Sequence, residues 1–261
     1  MGVEDHDALV AAVAVAEAHG LRSPDAVILR DKLNVLVHLR PAPVVARVAG
    51  TIRAARPGTD WQQRELAVAG HLAAQGAPVV APSDELPPGP YEHDGRVLSF
   101  WRYAAPAETS PTHAGAALRE CLDALKGFHG SLPVLGTMTE AEALLHRLAT
   151  EGRLSHDEAM GLQLRFDELF PLLAQLRSPV QPLHGDAHLN NVLGGLWNDW
   201  EDTCLGPVAW DAACLIAGSR DPADQQTAYE ATRLRLDPGE LRLWVEARRL
   251  QIDVWRAFLS R

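Results

Sequence analysis

The chain has 261 residues, 47% of them hydrophobic, enough to bury one large core or two lobes and too many for a disordered chain. Its formal charge of -10 is lopsided: the first 103 residues carry 10 Lys and Arg against 12 Asp and Glu, the remainder 14 against 22, so a basic face able to follow a phosphate backbone is absent and nucleic acid is a poor partner. No run of about eighteen apolar residues occurs and the first residues are acidic where a secretory signal is basic, which reads as a soluble cytoplasmic protein with no membrane partner; Cys121, Cys204 and Cys214 have no metal spacing and read as reduced core thiols.

Residues 7–18, rich in Ala, Val and Leu, predict a helix that closes near Gly20. Three short β-rich runs follow, residues 26–29, 34–39 and 44–48, separated by Arg30-Asp31-Lys32 and by Pro41-Ala42-Pro43, and three antiparallel strands are their simplest arrangement. Lys32 stands in a hairpin turn without glycine, an ordinary surface position; Arg47 stands on the third strand, where charged groups usually point outward. Residues 62–75 predict a helix with Leu66, Ala69, Leu72 and Ala73 on one stripe. Glu65 lies beside that stripe and can face inward toward Arg47, although a solvated glutamate is the commoner outcome. After a proline-rich turn at Pro87, Pro88 and Pro90, residues 96–103 predict a strand that stops at Ala104-Ala105-Pro106. Helical spacing returns over residues 112–129, 139–149 and 155–176, with Leu118, Cys121, Leu122, Leu125 and Phe128 as a core stripe, and the tail from Asp221 is helical and rich in Arg, Glu and Trp.

The chemistry is concentrated between residues 183 and 201. The run Leu183-His184-Gly185-Asp186-Ala187-His188-Leu189-Asn190-Asn191-Val192-Leu193 is followed, eight residues after Asn191, by Asp199-Trp200-Glu201. Gly194-Gly195 predicts a two-residue hairpin turn, which sets Asn191 and Asp199 near the two ends of one hairpin. An amide and a carboxylate so placed are hard oxygen ligands suited to Mg²⁺, and Asp186 is left to handle a proton. His184 and His188 have the spacing of a helical zinc pair, but Pro182 and Gly185 oppose a helix and no third ligand is evident. A lone Asp often only closes a turn. The ordered set Asp186, Asn191, Asp199 is much harder to meet by chance.

An Asp-x4-Asn spacing with a later Asp is that of the kinase catalytic loop and its metal-binding aspartate. The wording His-Gly-Asp-x-His-x-x-Asn, with Asp-Trp-Glu downstream, resembles the aminoglycoside phosphotransferase and choline kinase-like family more closely. Arg64-Glu65-Leu66-Ala67-Val68 is similar to that family's second helix, and Gly206-Pro207-Val208-Ala209-Trp210-Asp211 to its Gly-Asp-Pro-x-Trp-Asp. The resemblance runs from Asn34 to about Leu215. It implies an α+β, two-lobed protein-kinase-like fold: a nucleotide-binding lobe, residues 1–103, built on an antiparallel five-stranded sheet, and a mainly helical lobe, residues 104–261, holding the catalytic loop and the acceptor site.

The same resemblance implies an ATP-dependent O-phosphotransferase. Asp186 then accepts the proton of a substrate hydroxyl, and Asn191 and Asp199 hold Mg²⁺ against the phosphates. Arg47 takes the place of the strand lysine of Val-Ala-Ile-Lys, braced by Glu65; as a fork rather than a point charge, it departs from the family pattern. Lys32 and Asn34 border the turn that covers the phosphates, and the backbone at Trp101, Arg102 and Tyr103 forms the hinge that takes the adenine edge. Asp211 caps the following helix and braces the loop, which His184 and His188 keep in shape. The acid-rich second half fits a small cationic acceptor with a hydroxyl group: an aminoglycoside or another cationic antibiotic, an amino sugar, or a choline-like alcohol. Glu201, Asp202, Asp224, Glu230 and Glu246 are its candidate carboxylates. The rival readings are a catalytically silent kinase-like nucleotide-binding module and a metal-dependent hydrolase using the histidine pair. Protein-kinase activity is weaker, because no Asp-Phe-Gly or Ala-Pro-Glu segment is present.

Overall fold

The computed structural model describes residues 3–31, 33–218 and 221–260. Its first element, α1 (Val3–Ala18), is made largely of Ala and Val. Those short side chains let Ala8, Ala12 and Ala16 lie against Val35, Val37 and Phe100 of the sheet that follows. Among the described residues that sheet has five strands, β1 (Val27–Asp31), β2 (Asn34–His38), β3 (Val44–Ala49), β4 (Tyr91–His93) and β5 (Arg96–Arg102), in the order β1-β2-β3-β5-β4. Each neighbouring pair is antiparallel.

The short strand β4 falls in a stretch that reads as turn. Its signal is Asp94-Gly95, with φ of 47° and 72°, the pair of left-handed residues that a tight hairpin needs. A 3-10 turn, Thr51–Ala54, leads from β3 into α2 (Asp60–Ala74). The apolar stripe of α2 turns away from the sheet: Leu66, Ala69 and Leu72 join a core shared with Leu118, Cys121, Leu122 and Trp197.

The helical part follows, with α3 (Pro111–Leu125), α4 (Gly136–Thr150) and α5 (His156–Ala174). Ser110 caps α3 by accepting from His113 N–H at 3.2 Å, and a Ser155–Glu158 capping box starts α5. Then come β6 (Val180–Leu183), the hairpin β7 (Val192–Leu193) and β8 (Leu196–Trp197), and β9 (Cys204–Pro207), which pairs antiparallel with β6. Three helices close the fold: α6 (Val208–Ile216), α7 (Pro222–Ala231) and α8 (Pro238–Leu259). Helices α3 and α7 touch at Gly115, where a Cβ would lie 1.9 Å from the Ala228 carbonyl oxygen, so the contact requires glycine. Trp255 of α8 reaches a separate small cluster with Ile52, Trp61 and Val97, beside the sheet.

The architecture is the expected α+β fold, an antiparallel five-stranded sheet in the N-terminal part and helices in the C-terminal part. All three cysteines are buried and free. No helix among the described residues is long and apolar enough to cross a membrane.

Candidate active site

The central loop leaves β6 at Leu183 and is held from below by α6. Asp211 accepts the N–H of His184 at 2.8 Å and that of Gly185 at 2.9 Å, while Trp210 Nε1 donates to the Gly185 carbonyl at 2.7 Å. Asp211 is therefore a brace and not a helix cap: Pro207 occupies the cap position, and Asp211 lies in the first turn, fully buried. Burial, which outweighs the two amide donors, pushes its carboxyl up to about 7. Gly185 has φ of 87°, and a Cβ there would meet the Asp202 carbonyl oxygen at 1.9 Å. Only glycine permits this crossing.

His184 is fully buried, with its ring 4.3 Å from that of Trp200 and Nε2 3.1 Å from the Asn198 carbonyl. Burial holds it neutral, with its pKa pushed down to about 4. This supports a shaping role for His184, and neither histidine belongs to the one tight cluster of candidate metal ligands among the described residues.

The glycine hairpin forms as expected, with Gly194 and Gly195 at φ of 58° and 85°. Across its base the Asn191 carbonyl accepts the Asn198 N–H at 3.0 Å and the Asn198 side-chain amide at 2.8 Å, which brings Asn191 beside Asp199. The Asn191 side-chain amide donates to the Asp186 carbonyl at 3.0 Å. Asp199 itself sits in the left-handed region with φ of 68°.

Two buried arginines organise the carboxylates. Arg47, on β3, donates to Glu65 and Glu201 and, at 2.8 Å, to Asp199. With its amide oxygen turned toward the guanidinium, Asn34 accepts from Arg47 Nη2 at 2.7 Å and Nε at 3.1 Å. Burial alone would weaken the Arg47 cation, but Glu65, Glu201 and Asp199 more than offset it and keep it charged. The carboxylates respond the other way: burial exceeds the pull of Arg47 and raises Glu65 to about 7 and Glu201 to about 8. Arg56, in the segment after β3, pairs with Glu140 at 2.7 and 2.6 Å, with Glu201 at 2.9 Å and with Asp202 at 2.5 Å. Glu201 and Asp202 are thus engaged by arginine side chains. Asp224 and Glu230 are exposed on α7, and Glu246 is exposed on α8, 2.6 Å from Arg249.

A third buried arginine, like Arg56, was not expected. Arg248, on α8, donates to Oδ1 of Asp186, whose Oδ2 lies 3.3 Å from His188 Nε2. Burial opposes ionisation, yet Arg248 and His188 hold the Asp186 carboxyl well below the usual range; Asp186 in turn raises His188 against the effect of its burial. A sequence signal existed, because Trp244, Arg248, Gln251 and Trp255 share the i, i+4, i+7, i+11 stripe of α8.

A cleft runs from the Arg47 cluster under the sheet. Leu36, Val45, Val80, Tyr103 and Leu193 wall it, with Asn34, Arg47, Glu65 and Asp199 at its polar end. Trp101, Arg102 and Tyr103 line its far edge. Their roles there are limited by existing bonds. Arg102 N–H donates to Ala81 at 3.0 Å, Tyr103 N–H donates to Pro43 at 2.8 Å, and the Arg102 side chain pairs with Asp84 at 2.5 Å. Tyr103 stacks on His38 with ring centroids 4.1 Å apart. Lys32 lies outside the described residues.

The carboxylate oxygens of Glu65, Asp199 and Glu201 lie within 4.8 Å of one another, a hard-oxygen set that suits a divalent cation. Asp199 is the accessible member, with its side chain 35% exposed against 1% for Glu65 and 8% for Glu201.

Sheet, helices and loop together define a kinase-like phosphotransferase architecture. A profile of the phosphotransferase enzyme family matches residues 28–244, most of the chain, and the chain belongs to that family. Similar solved structures include a choline/ethanolamine kinase family protein from Mesorhizobium loti, 18% identical, with a TM-score of 0.65 over 97% of this chain and 85% of that one. The aminoglycoside phosphotransferase APH(3'')-Id from Streptomyces rimosus is 16% identical, with a TM-score of 0.65 over 93% of this chain and 98% of that one. Spectinomycin phosphotransferase APH(9)-Ia, in complex with ADP and spectinomycin, is 13% identical, with a TM-score of 0.66 over 95% of this chain and 88% of that one. At such identities the likeness establishes the fold. No curated protein sequence matches the chain.

Proposed function

We propose that the protein moves the γ-phosphoryl group of ATP to a hydroxyl of a small molecule, with residues 1–103 as the nucleotide lobe and 104–261 as the acceptor lobe. The observation that carries this reading is the hairpin: it sets Asn191 beside Asp199 while Asn191 also bonds the backbone of Asp186. Family membership supports phosphotransfer, and the ADP complex of spectinomycin phosphotransferase supports a nucleotide in the cleft. Mg²⁺, held by Asn191 and Asp199, supplies screening of phosphate charge. Arg47 offers the phosphates a two-pronged donor, braced by Glu65, and Asn34 orients that guanidinium. The sequence offers Lys32 as a further point charge for the phosphates. With the amides of Arg102 and Tyr103 engaged, the adenine edge falls to the Ala104 amide at the end of the Trp101–Tyr103 segment.

In the transfer, the acceptor oxygen bonds to the γ-phosphorus as the bond to the bridging oxygen breaks, and ADP leaves with that electron pair. The hydroxyl proton passes to Asp186. Because Arg248 and His188 make that carboxylate a weak base, it orients the hydroxyl early and takes the proton late, as the new bond forms. The acid-rich second half favours an amine-bearing acceptor, such as an aminoglycoside, another cationic antibiotic, an amino sugar or a choline-like alcohol.

A silent nucleotide-binding module is the second reading, favoured by the arginines that sit on Asp199 and Asp186. ADP release over a panel of amine-bearing and neutral alcohols, with Asp186→Asn as the blank, decides between them. Acceptor-dependent release that Asp186→Asn abolishes supports transfer. Nucleotide binding without release supports the silent module, and normal turnover by Asp186→Asn removes the central assignment.

A further inference from the structure

Among the described residues, Arg248 is the one side chain from outside the 184–191 loop that hydrogen-bonds the Asp186 carboxylate. Three contacts fix where that guanidinium stands. Gln251, one turn on, accepts from Arg248 Nη1 at 2.7 Å and orients the fork from its own helix. Trp244, one turn back, meets Trp210 edge to face at 6.1 Å, and Trp210 is the residue whose ring nitrogen holds Gly185. Trp255, two turns on, packs beside Ile52 and Trp61, with Arg56 5.6 Å from its ring. Helix α8 therefore spans from the Asp186 loop to the segment that follows Arg47 on β3. A rigid helix anchored at both places keeps Asp186 at a set position relative to the phosphate side of the cleft.

Without Arg248, the basic side chain left at Asp186 among the described residues is His188, 3.3 Å from Oδ2. The carboxylate would then be free to rotate toward the imidazole. We infer that Arg248 is a positioning residue: its guanidinium holds the Asp186 carboxylate in one orientation for the acceptor hydroxyl, and α8 carries that orientation from the nucleotide side of the cleft. The catalytic half of this inference rests on Asp186 as the group that receives the hydroxyl proton; the structural half stands without it.

Crystal structures and steady-state kinetics of Arg248→Gln and Arg248→Lys test it. In Arg248→Gln the Asp186 carboxylate turns toward His188 and kcat falls by about 10- to 100-fold, while the KM for ATP changes by no more than about twofold. Arg248→Lys keeps the charge but loses the fork, and recovers part of kcat. An unmoved Asp186 carboxylate in Arg248→Gln, or an unchanged kcat, overturns the inference. So do parallel losses of kcat, ATP affinity and thermal stability in both variants, which mark a packing role. Should Arg248→Gln not fold, Arg248→Lys decides: wild-type kcat with an unmoved carboxylate overturns the inference, and a reduced kcat with ATP affinity kept supports it. If the wild-type protein transfers phosphate to no acceptor, the proposed function fails, and the carboxylate orientation in the variants alone decides whether Arg248 positions Asp186.

Discussion

Arg47 Nη2 lies 2.8 Å from Asp199 Oδ1, and the same guanidinium also holds Glu65 and Glu201. A single cation thereby ties up three carboxylates whose oxygens lie close enough together to suit a divalent ion. On the proposed reading, Mg²⁺ and nucleotide would have to loosen at least the Asp199 contact, while Glu65 could stay. Asp199 is the most accessible of the three carboxylates, so this is the contact that exchanges at least cost.

Replacing Arg47 with Met leaves Glu65 and Glu201 buried without that cation. The expected loss at pH 8 is about 3–5 kcal/mol of unfolding free energy, measured by urea titration. At pH 6 the loss is smaller. Burial already raises these two carboxyls to about 7 and about 8 with Arg47 present, and without it they rise further, so in mild acid both are protonated and no unpaired buried charge remains.

His184 predicts a pH dependence of the opposite sign. Its folded pKa is pushed down to about 4 from 6.5, so between those values the unfolded chain binds a proton that the native protein does not. Its contribution is complete above about pH 6.5 and is lost as the pH falls toward 4, by roughly 3 kcal/mol in all. His184→Gln flattens that part of the stability curve. A variant that keeps the wild-type slope between pH 4 and 6.5 refutes the assignment.

Two glycines report different things when changed to Ala. At Gly115 the new Cβ runs into the Ala228 carbonyl, forcing α3 and α7 apart at a cost of about 1–3 kcal/mol or more, which thermal unfolding reads directly. At Gly185 the same clash with Asp202 adds to a positive φ and displaces the loop itself. Gly185→Ala therefore loses phosphotransfer out of proportion to its stability, whereas Gly115→Ala loses both together.

Asp199→Asn retains an oxygen ligand and a residue type that tolerates φ of 68°. Folding is expected to survive with wild-type stability within about 1 kcal/mol. The Mg²⁺ enhancement of ATP affinity falls by at least about tenfold, as read by calorimetry with and without the metal. Equal Mg²⁺ enhancement in the variant and the wild type would falsify Asp199 as a metal ligand.

Local signals made much of this legible in the chain. The Gly194-Gly195 turn, the β-rich runs around Arg47 and the apolar stripe beside Glu65 each act over a few residues, and each appears where the sequence predicts it. Asp94-Gly95 was just as readable a turn, and its hairpin strand β4 fell among prolines that hid it. The arginine contacts are another matter. Arg248 meets Asp186 across 62 residues, and Arg56 meets Glu140 across 84, so only the tertiary path selects the partner. Asp211 shows the same limit on a smaller scale: it braces the loop as expected, but the start of α6 three residues earlier removes the cap role expected with it.

Helix α8 follows every other described element along the chain. During synthesis the Asp186 loop, its Asp211 brace and the sheet all leave the ribosome before Arg248 and Trp255. Until α8 docks, Asp186 lacks its strongest counter-ion, and the apolar faces of Trp210, Ile52 and Trp61 lack a cover. The proposed reactive centre is thus completed only once α8 has been made, and a nascent chain that stalls before α8 has the loop without Arg248 to hold it.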